Sequence, residues 1–290
     1  MTLALVLAGG GVAGIAWATG FLLGVQDESP LTASRLLGAD VLLGTSAGST
    51  VAAQISSGAC LEELFARQLS ETTDEITPSV DIDELMMLFE EAAADTGATV
   101  TEQRRRIGQH AISAPTVAPQ VRRAVIEKRL PSHEWPERPL QITAIDVATG
   151  QRVIFERSSG VGLVDAVTAS CAVPAVWPPV VIGRRQYMDG GVGSSANVDA
   201  LADHETVVML APTAEPGVSP FGRSLADELA HHGGRTLGIF ADDASVENFG
   251  RNPLDPDCRA PSAIAGREQG RRTAAELAAF LEAARSVRGR

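Results

Sequence analysis

One serine of this chain lies at a sharp turn between a strand and a helix. It is the central residue of Gly44-Thr45-Ser46-Ala47-Gly48, which follows the apolar residues 41–43 and precedes the small residues 49–53. Such a corner strains the backbone, and glycines at both ends let the chain fold back while the serine hydroxyl stays exposed. A chain with this corner has to pack a strand against the helix that follows it. Ser46 then lies at the positive end of a helix and is a candidate nucleophile.

The rest of the chain alternates between strand-like and helix-like segments. Residues 3–8 form an apolar run that ends in glycines, as expected for a strand covered on both faces. Hydrophobic patterning predicts further strands at 140–147, 152–156, 180–182, 186–188, 206–210 and 236–240, and helices at 14–25, 61–69, 161–170, 225–232 and 274–284. This alternation predicts a layered α/β architecture.

A further helix is predicted from Asp81, a cap residue that Glu84 follows three positions later. One face of this helix carries Ile82, Leu85, Met86 and Phe89. That face would either pack into the core or, as a flexible Met-containing surface, line a groove for an acyl chain or form a lid.

The composition excludes several classes of function. With 290 residues and 44% hydrophobic content, the chain is expected to bury one large core. The formal charge of −12 and the pI near 4.9 argue against a nucleic-acid binder, because neutralising phosphates needs clustered positive charge. Lys128 is the only lysine, which confines Schiff-base chemistry to one position in a charged helix.

We expect a cytoplasmic protein that needs no metal or other cofactor. Residues 2–26 carry no charge, but no positive segment precedes them and glycines 9–11 interrupt the run, so neither a signal peptide nor a membrane span is expected. The three cysteines are an odd number at wide spacings, which fits a reducing compartment and offers no zinc-ligand pattern. No acidic loop has the spacing of calcium ligands.

A glycine-rich turn, Gly9-Gly10-Gly11-Val12-Ala13-Gly14, follows the first strand and opens the first helix. Its amides can hold negative charge with help from the helix dipole. One suitable ligand is a dinucleotide pyrophosphate, since the turn satisfies GxGxxG, and the other is the oxyanion of a tetrahedral intermediate. The nucleotide interpretation needs an acidic residue after the second strand, which ends instead in Gly44-Thr45-Ser46, while Asp27 and Glu28 are expected in a loop. The oxyanion interpretation is therefore favoured.

A serine nucleophile also needs a base. None of the five histidines lies in a glycine-flanked turn after a clear strand, and His204, which precedes the strand at 206–210, is the best of them. Asp189 is better placed, because it ends an apolar strand and precedes Gly190 and Gly191. The alternative is that Asp189 only begins a tight turn.

The glycine-rich turn, the corner at Ser46 and Asp189-Gly190-Gly191 together resemble the patatin-like acyl hydrolases and phospholipases in order and approximate spacing. Residues 169–174 and the region around 252–255 also look like bacterial members, so the resemblance covers most of the chain. It implies a three-layer α/β/α sandwich with a mixed, mostly parallel central sheet. It further implies a single domain over residues 1–290, with a helical insertion at roughly 72–135.

The same resemblance implies a Ser-Asp dyad without histidine, in which Ser46 is the nucleophile and Asp189 the base. The amides of Gly10, Gly11 and Val12 would hold the oxyanion. The turns that carry these groups would be shaped by the motif glycines, namely Gly9, Gly14, Gly44, Gly48, Gly190 and Gly191.

One position departs from the pattern of the family. Many members carry arginine or lysine immediately before the last glycine of the turn, where this chain has Ala13. Either the backbone amides suffice, another arginine substitutes, or phospholipid is not the preferred substrate.

The expected function is hydrolysis of an acyl ester through an acyl-enzyme, of the phospholipase A or lysophospholipase type. The expected partner is a lipid or other acyl-ester substrate, with peripheral and transient membrane contact and no nucleic acid. The alternatives are acyl transfer to an alcohol, a noncatalytic lipid-binding or regulatory module, and a nucleotide-binding oxidoreductase.

Overall fold

One sheet of eight strands runs through the described part of the chain, which comprises residues 2–80, 82–95, 97–217 and 222–286 of a computed structural model. The strands are β1 (Leu3–Leu7), β2 (Val41–Thr45), β3 (Leu140–Asp146), β4 (Arg152–Phe155), β5 (Val180–Ile182), β6 (Arg185–Asp189), β7 (Thr206–Ala211) and β8 (Arg235–Phe240). The helices are α1 (Gly11–Glu28), α2 (Pro30–Leu37), α3 (Ala47–Ile55), α4 (Leu61–Leu69), α5 (Ile82–Ala94), α6 (Val100–Ser113), α7 (Pro119–Arg129), α8 (Leu163–Ser170), α9 (Leu225–Ala230), α10 (Asp243–Phe249) and α11 (Arg259–Ser286).

The sheet is parallel through its middle and antiparallel on one side. Its hydrogen-bonded path is β5-β6-β3-β2-β1-β7-β8, and β4 pairs with β3. The five strands from β3 to β8 along this path are parallel, whereas β3 pairs antiparallel with β4 and β6, and β5 pairs antiparallel with β6. The expected mixed, mostly parallel sheet is confirmed.

Alternate residues of the central strands face two apolar layers. Leu5 and Leu7 of β1 pack into the larger cluster, to which α1, α2, α3, α4, α8 and α11 contribute. Ala4 and Val6 of the same strand pack into a smaller cluster that includes residues of α9. Helices therefore cover both faces, and the expected α/β/α sandwich is confirmed, with a thick layer on the α1 side and a thin one on the α9 side.

Helices α1 and α11 approach so closely that backbone meets backbone. A Cβ added at Gly20, Gly24, Gly266 or Gly270 would lie 2.0–2.2 Å from a carbonyl oxygen of the other helix. No larger residue fits at these four positions unless the helices move apart. The contact fixes α1, whose first turn belongs to the glycine-rich turn.

Several boundaries differ from those expected. The first helix begins at Gly11 rather than at residue 14 and runs to Glu28, so the expectation that Asp27 and Glu28 lie in a loop is wrong. Asp27 accepts hydrogen bonds from Arg267 and Arg271 of α11, and these contacts hold the last turn of α1.

The closing helix spans 28 residues instead of 274–284, and α2 and α10 were not predicted. The first half of α11 is rich in glycine, arginine and alanine and lacks a clear apolar period, which is why patterning alone misses it. The predicted cap Asp81 lies outside the described residues. No helix within the described ranges combines the length and apolar character that crossing a membrane requires.

Candidate active site

Ser46 occupies the corner between β2 and α3. Its backbone has φ 52° and ψ −120°, a conformation that costs a residue with a side chain about 1–3 kcal/mol. The predicted turn is therefore present, and it is strained. The residue as a whole is 8% exposed, and it lines a cleft that gives access to the site.

Three side chains hold the backbone of Ser46 in this conformation. The Ser46 N–H donates to Ser170 Oγ at 2.8 Å. The Ser46 carbonyl accepts from Ser49 Oγ at 2.6 Å and from the thiol of Cys171 at 3.2 Å. All three partners are buried, so these bonds supply fixed anchors for the corner. Sequence reasoning noted residues 169–174 only as a family resemblance and missed their contact with Ser46.

Gly48 lets α3 start directly beside β1. A Cβ at this position would lie 1.8 Å from the carbonyl oxygen of Leu7, well inside van der Waals contact. Only glycine allows this approach, which brings the Ser46 corner alongside the glycine-rich turn that follows β1.

Asp189 is the last residue of β6, and its carboxylate meets the Ser46 hydroxyl. Ser46 Oγ donates to Asp189 Oδ2 at 2.7 Å. The other carboxylate oxygen, Oδ1, accepts from the N–H of Gly191 at 2.7 Å. One oxygen is thus held by the following turn while the other is directed at the serine.

The sheet itself explains why Ser46 and Asp189 meet. In the pairing with β3, Thr45 of β2 lies opposite Thr143 and Asp189 of β6 lies opposite Ala144. Because β4 occupies the other edge of β3 at these positions, β2 and β6 share one edge and approach each other end to end. Their final residues therefore converge, although 143 positions separate Ser46 from Asp189 in sequence.

Burial dominates the electrostatics of Asp189. The residue is 4% exposed, and loss of water raises the pKa of its carboxyl from 3.8 to about 7. The hydrogen bond from Ser46, the Gly191 amide and the charge of Arg122 each act in the opposite direction. The group therefore titrates near neutral pH, where it can exchange a proton.

The first turn of α1 directs backbone amides toward the same region. Gly11 has φ 66°, and a Cβ there would lie 2.6 Å from the carbonyl oxygen of Pro253. Within the described residues, the amides of Gly10, Gly11 and Val12 have no recorded acceptor, whereas the Gly9 amide donates to Ser195. Amides at the start of a helix carry partial positive charge and suit an anion.

A cleft of about 360 Å³ opens over the Ser46–Asp189 pair. Gly9, Gly10 and Gly11 form part of its wall. Its apolar wall is formed by the side chains of Leu85, Met86, Phe89, Val173, Val192 and Leu254. The predicted amphipathic face of α5 thus borders this cleft, where Leu85 is buried and Met86 is exposed.

Other residues considered from the sequence lie elsewhere. His204 precedes β7, whereas Ser46 follows β2. Since β7 and β2 both run parallel to β1, the two residues lie at opposite ends of the strands. Lys128 pairs with Asp74 at 2.5 Å on the surface. No group of three or more metal-ligating side chains occurs in the ranges that the structure describes.

Comparison with known proteins identifies the family. No curated protein matches the chain. Among solved structures, VipD from Legionella pneumophila is similar with a TM-score of 0.45 and 12% identity, over 95% of this chain and 67% of that chain. The type III effector ExoU is similar with a TM-score of 0.41 and 15% identity, over 95% of this chain and 53% of that chain. Full-length ExoU in complex with SpcU, from the type III secretion system of Pseudomonas aeruginosa, gives a TM-score of 0.39 and 16% identity, over 96% and 52%.

This chain thus spans about half the length of ExoU. The family described as Patatin-like phospholipase matches residues 5–202, a range that contains Ser46, Asp189 and the whole glycine-rich turn. Since this match extends over more than half of the 290 residues, the chain belongs to the patatin-like phospholipase family.

Proposed function

We propose that the chain is a serine hydrolase that cleaves the acyl ester of a lipid through an acyl-enzyme on Ser46. Membership of the patatin-like phospholipase family supports lipid acyl hydrolysis at the level of the family. The observation that carries the proposal for this chain is the 2.7 Å hydrogen bond from Ser46 Oγ to Asp189 Oδ2. A nucleophile bonded to a base, beside unpaired amides, is the arrangement that acyl transfer requires.

In the first step, Asp189 Oδ2 accepts the proton of Ser46 as Oγ attacks the ester carbonyl carbon. The carbonyl π electrons move to oxygen and form a tetrahedral oxyanion, which the N–H groups of Gly10, Gly11 and Val12 stabilise. Collapse of this intermediate breaks the bond to the alcohol, which leaves with the proton from Asp189. The products of the step are a free alcohol and an acyl ester of Ser46.

In the second step, water takes the place of the alcohol. Asp189 accepts a proton from this water, and the hydroxide oxygen attacks the acyl carbon. A second oxyanion forms in the same position and collapses, and Ser46 Oγ recovers its proton from Asp189. The fatty acid leaves, and the enzyme returns to its starting state.

The pKa of Asp189 suits both proton transfers. An ordinary aspartate with a pKa near 3.9 is a poor base toward a hydroxyl group. Burial raises the pKa of Asp189 to about 7, which brings its basicity close to neutral pH. The rate of acylation should therefore rise with pH through about 7, because only the ionised carboxylate can accept the proton.

The cleft also supports an apolar acyl group as the substrate. Its volume of about 360 Å³ falls at the lower end of the range for small-molecule sites, and side chains from α5 line one wall. Met86, which lines it, is 51% exposed, and the next residue of α5, Met87, is 58% exposed. We propose that this rim contacts a lipid surface transiently while one acyl chain enters the cleft.

Labelling with a fluorophosphonate probe tests the proposal directly. Wild-type protein should be labelled at Ser46, as identified by mass spectrometry of the modified peptide, and Ser46→Ala should not be labelled. Asp189→Asn should be labelled about 10²–10⁴-fold more slowly, which is the usual contribution of a general base.

The products then separate the remaining alternatives. Release of fatty acid from phospholipid or simple esters would support hydrolysis, whereas transfer to an added alcohol in preference to water would support an acyltransferase. A folded wild type that neither labels nor cleaves esters, and whose lipid affinity is unchanged in Ser46→Ala, would indicate a noncatalytic lipid-binding module and overturn the proposal.

A further inference from the structure

A second, much smaller cavity lies beside Ser46. Its volume of about 20 Å³ is enough for roughly one water molecule, or one oxygen atom of a substrate. Gly11 and Val12 line it from the start of α1, and Arg122 and Trp177 line it from the other side. Residues at the start of α1 and two arginines, Arg122 and Arg129, therefore surround the same small space next to Ser46.

Arg122 is buried there without hydrogen-bond partners for two of its nitrogens. The residue is 4% exposed, and its guanidinium carbon lies 4.0 Å from the centre of the Trp177 ring. Among the described residues, nothing accepts a hydrogen bond from its Nε or Nη1. Leaving charged donors unpaired in the interior is costly, so their retention indicates a ligand that the protein meets during function.

Arg129, about two helical turns further along α7, is an arginine of the same region whose donors are paired. Its Nε and Nη2 donate to the two carboxylate oxygens of Glu75, both at 2.5 Å. Arg122 has no such bidentate partner within the described residues. The nearby Cys171 does not supply one either, because burial raises the pKa of its thiol and keeps it neutral.

Burial, and then the charge of Arg129, hold the pKa of Arg122 below its usual value. Guanidinium still keeps its proton at neutral pH, so the cavity is positively charged. Because the space holds about one oxygen atom, this cavity selects a single anionic oxygen over a larger anionic group such as a whole phosphate.

We infer that Arg122 is a catalytic residue that donates a hydrogen bond to the oxyanion of the tetrahedral intermediate, together with the amides at the start of α1. This inference rests on the proposed acyl hydrolysis at Ser46. It also accounts for Ala13, where many members of the family carry a basic residue, because the positive charge reaches the site from α7 instead.

The role of Arg122 is electrostatic throughout the reaction. As Ser46 Oγ bonds to the carbonyl carbon, the π electron pair moves to the carbonyl oxygen, and the proton of Ser46 goes to Asp189. Arg122 keeps its proton and shares it in a hydrogen bond that strengthens as the oxygen becomes negative. When the intermediate collapses, the electron pair returns to the carbonyl, and this hydrogen bond weakens again.

The test compares Arg122→Gln with Arg123→Gln. Arg123 neighbours Arg122 on α7, but its side chain is 43% exposed and pairs with Asp165, which makes it a matched control. The substrate is an uncharged p-nitrophenyl ester of a short fatty acid, which has no phosphate. For Arg122→Gln we expect kcat to fall about 10²–10³-fold with KM little changed, which is the usual effect of losing an oxyanion donor, and no effect in the control.

Because the charge of Arg122 also lowers the pKa of Asp189, full pH profiles must be compared. The profile of Arg122→Gln should shift to higher pH, yet its plateau should stay far below that of wild type. A plateau equal to that of wild type would mean that Arg122 acts only through the ionisation of Asp189, and would overturn the inference.

Chemical rescue separates a lost donor from a damaged fold. Millimolar guanidinium or methylguanidinium should raise kcat of Arg122→Ala at least about tenfold, since the vacated space can accept it, while leaving Ser46→Ala inactive. If Arg122→Ala does not fold, Arg122→Lys replaces it, and should keep more activity than Arg122→Gln because it keeps a charged donor. Equal loss in the two variants would contradict the inference.

Two outcomes distinguish this inference from the underlying function. If wild type is labelled at Ser46 and Arg122→Gln hydrolyses the neutral ester at the wild-type rate, the inference fails and the proposed function stands. A loss confined to phosphate-bearing lipids would likewise overturn it, and assign Arg122 to the substrate headgroup. If wild type is neither labelled nor active, the proposed function itself fails.

Discussion

At the residue scale, the burial of Asp189 beside Ser46 makes its carboxylate more basic and also lowers the stability of the folded protein. The pKa of Asp189 is raised by burial from 3.8 to about 7, so the folded protein binds this proton more tightly than the unfolded chain does. Below about pH 4 the carboxyl is neutral in both states, and its burial carries no charge penalty. Between about pH 4 and 7 the unfolded chain ionises first, so stability falls as the pH rises.

Asp189→Asn should therefore stabilise the protein at high pH but not at low pH. A pKa difference between 3.8 and about 7 corresponds to an upper limit of roughly 4 kcal/mol. We expect the free energy of unfolding of Asp189→Asn to be higher than that of wild type by up to this amount at pH 8. Near pH 4 the two free energies should be equal. Urea unfolding at the two pH values measures the difference, and an equal gain at both would show that ionisation is not its cause.

Gly48→Ala should destabilise the fold strongly. The added Cβ would lie 1.8 Å from the Leu7 carbonyl oxygen, so α3 and β1 would have to separate. Overpacking of this kind costs about 1–3 kcal/mol or more. Gly233→Ala is the control, because a Cβ there meets nothing within 4 Å. Thermal unfolding of the two variants should differ by several degrees, and similar melting temperatures would contradict the expected clash.

Sequence reasoning reached the residues of this site that belong to motifs. Ser46 and Asp189 stand next to glycines after strands, and this local pattern is visible in the sequence. Ser170 and Arg122 have no such pattern, because their contacts depend on how α7 and α8 pack in three dimensions. A buried arginine in a charged helix looks like any surface arginine until the fold is known.

At the element scale, helix α1 carries the amides of the turn and is held in place by α11. Sequence patterning predicted the existence of both helices but not their extent, since a segment rich in glycine and alanine has little apolar contrast between its faces. The glycines that weaken the pattern are the ones that permit the close contact. The same glycines therefore hide the extent of the helices in the sequence and allow the two helices to pack closely.

Gly24→Ala should loosen this contact. The new methyl group would lie 2.0 Å from the carbonyl oxygen of Arg267, and α1 must tilt or move to relieve it. We expect a loss of about 1–3 kcal/mol in the free energy of unfolding, measured by urea titration. The control is Gly222→Ala, at a position where an added Cβ meets nothing within 4 Å. Unchanged stability in Gly24→Ala would show that the two helices can separate at no cost.

At the scale of the whole molecule, helix α5 carries two exposed methionines, Met86 and Met87, and the first of them lines the cleft. The single domain with a helical insertion at roughly 72–135 and the cytoplasmic location both stay predictions. A layered α/β architecture was predictable, because alternating strands and helices leave few other arrangements. The mixed sheet and the three layers were implied by the family resemblance. The contact of α5 with the cleft could not be predicted, because an apolar helical face packs equally well into a core.

Met87→Glu should slow the hydrolysis of lipids in a membrane surface more than the hydrolysis of soluble esters. Met87 is 58% exposed on α5, and a carboxylate there would have to be dehydrated on contact with lipid. We expect hydrolysis of zwitterionic phosphatidylcholine vesicles to fall several-fold, with activity on a short soluble ester unchanged. Leu31→Glu, on α2 and 81% exposed, is the control. If the two variants hydrolysed phosphatidylcholine vesicles equally well, the rim would not be the part of the surface that contacts lipid.

Because β2 and β6 meet end to end along β3, the site at Ser46 should form late during folding. Ser46 and Asp189 come from strands 143 positions apart, and β3, which aligns them, lies between them in sequence. Pairings between such distant segments form slowly, because a long loop must close first. Labelling of Ser46 should therefore be among the last signals to recover on refolding. Helical circular dichroism should return earlier, so labelling of Ser46 would report that the sheet is complete.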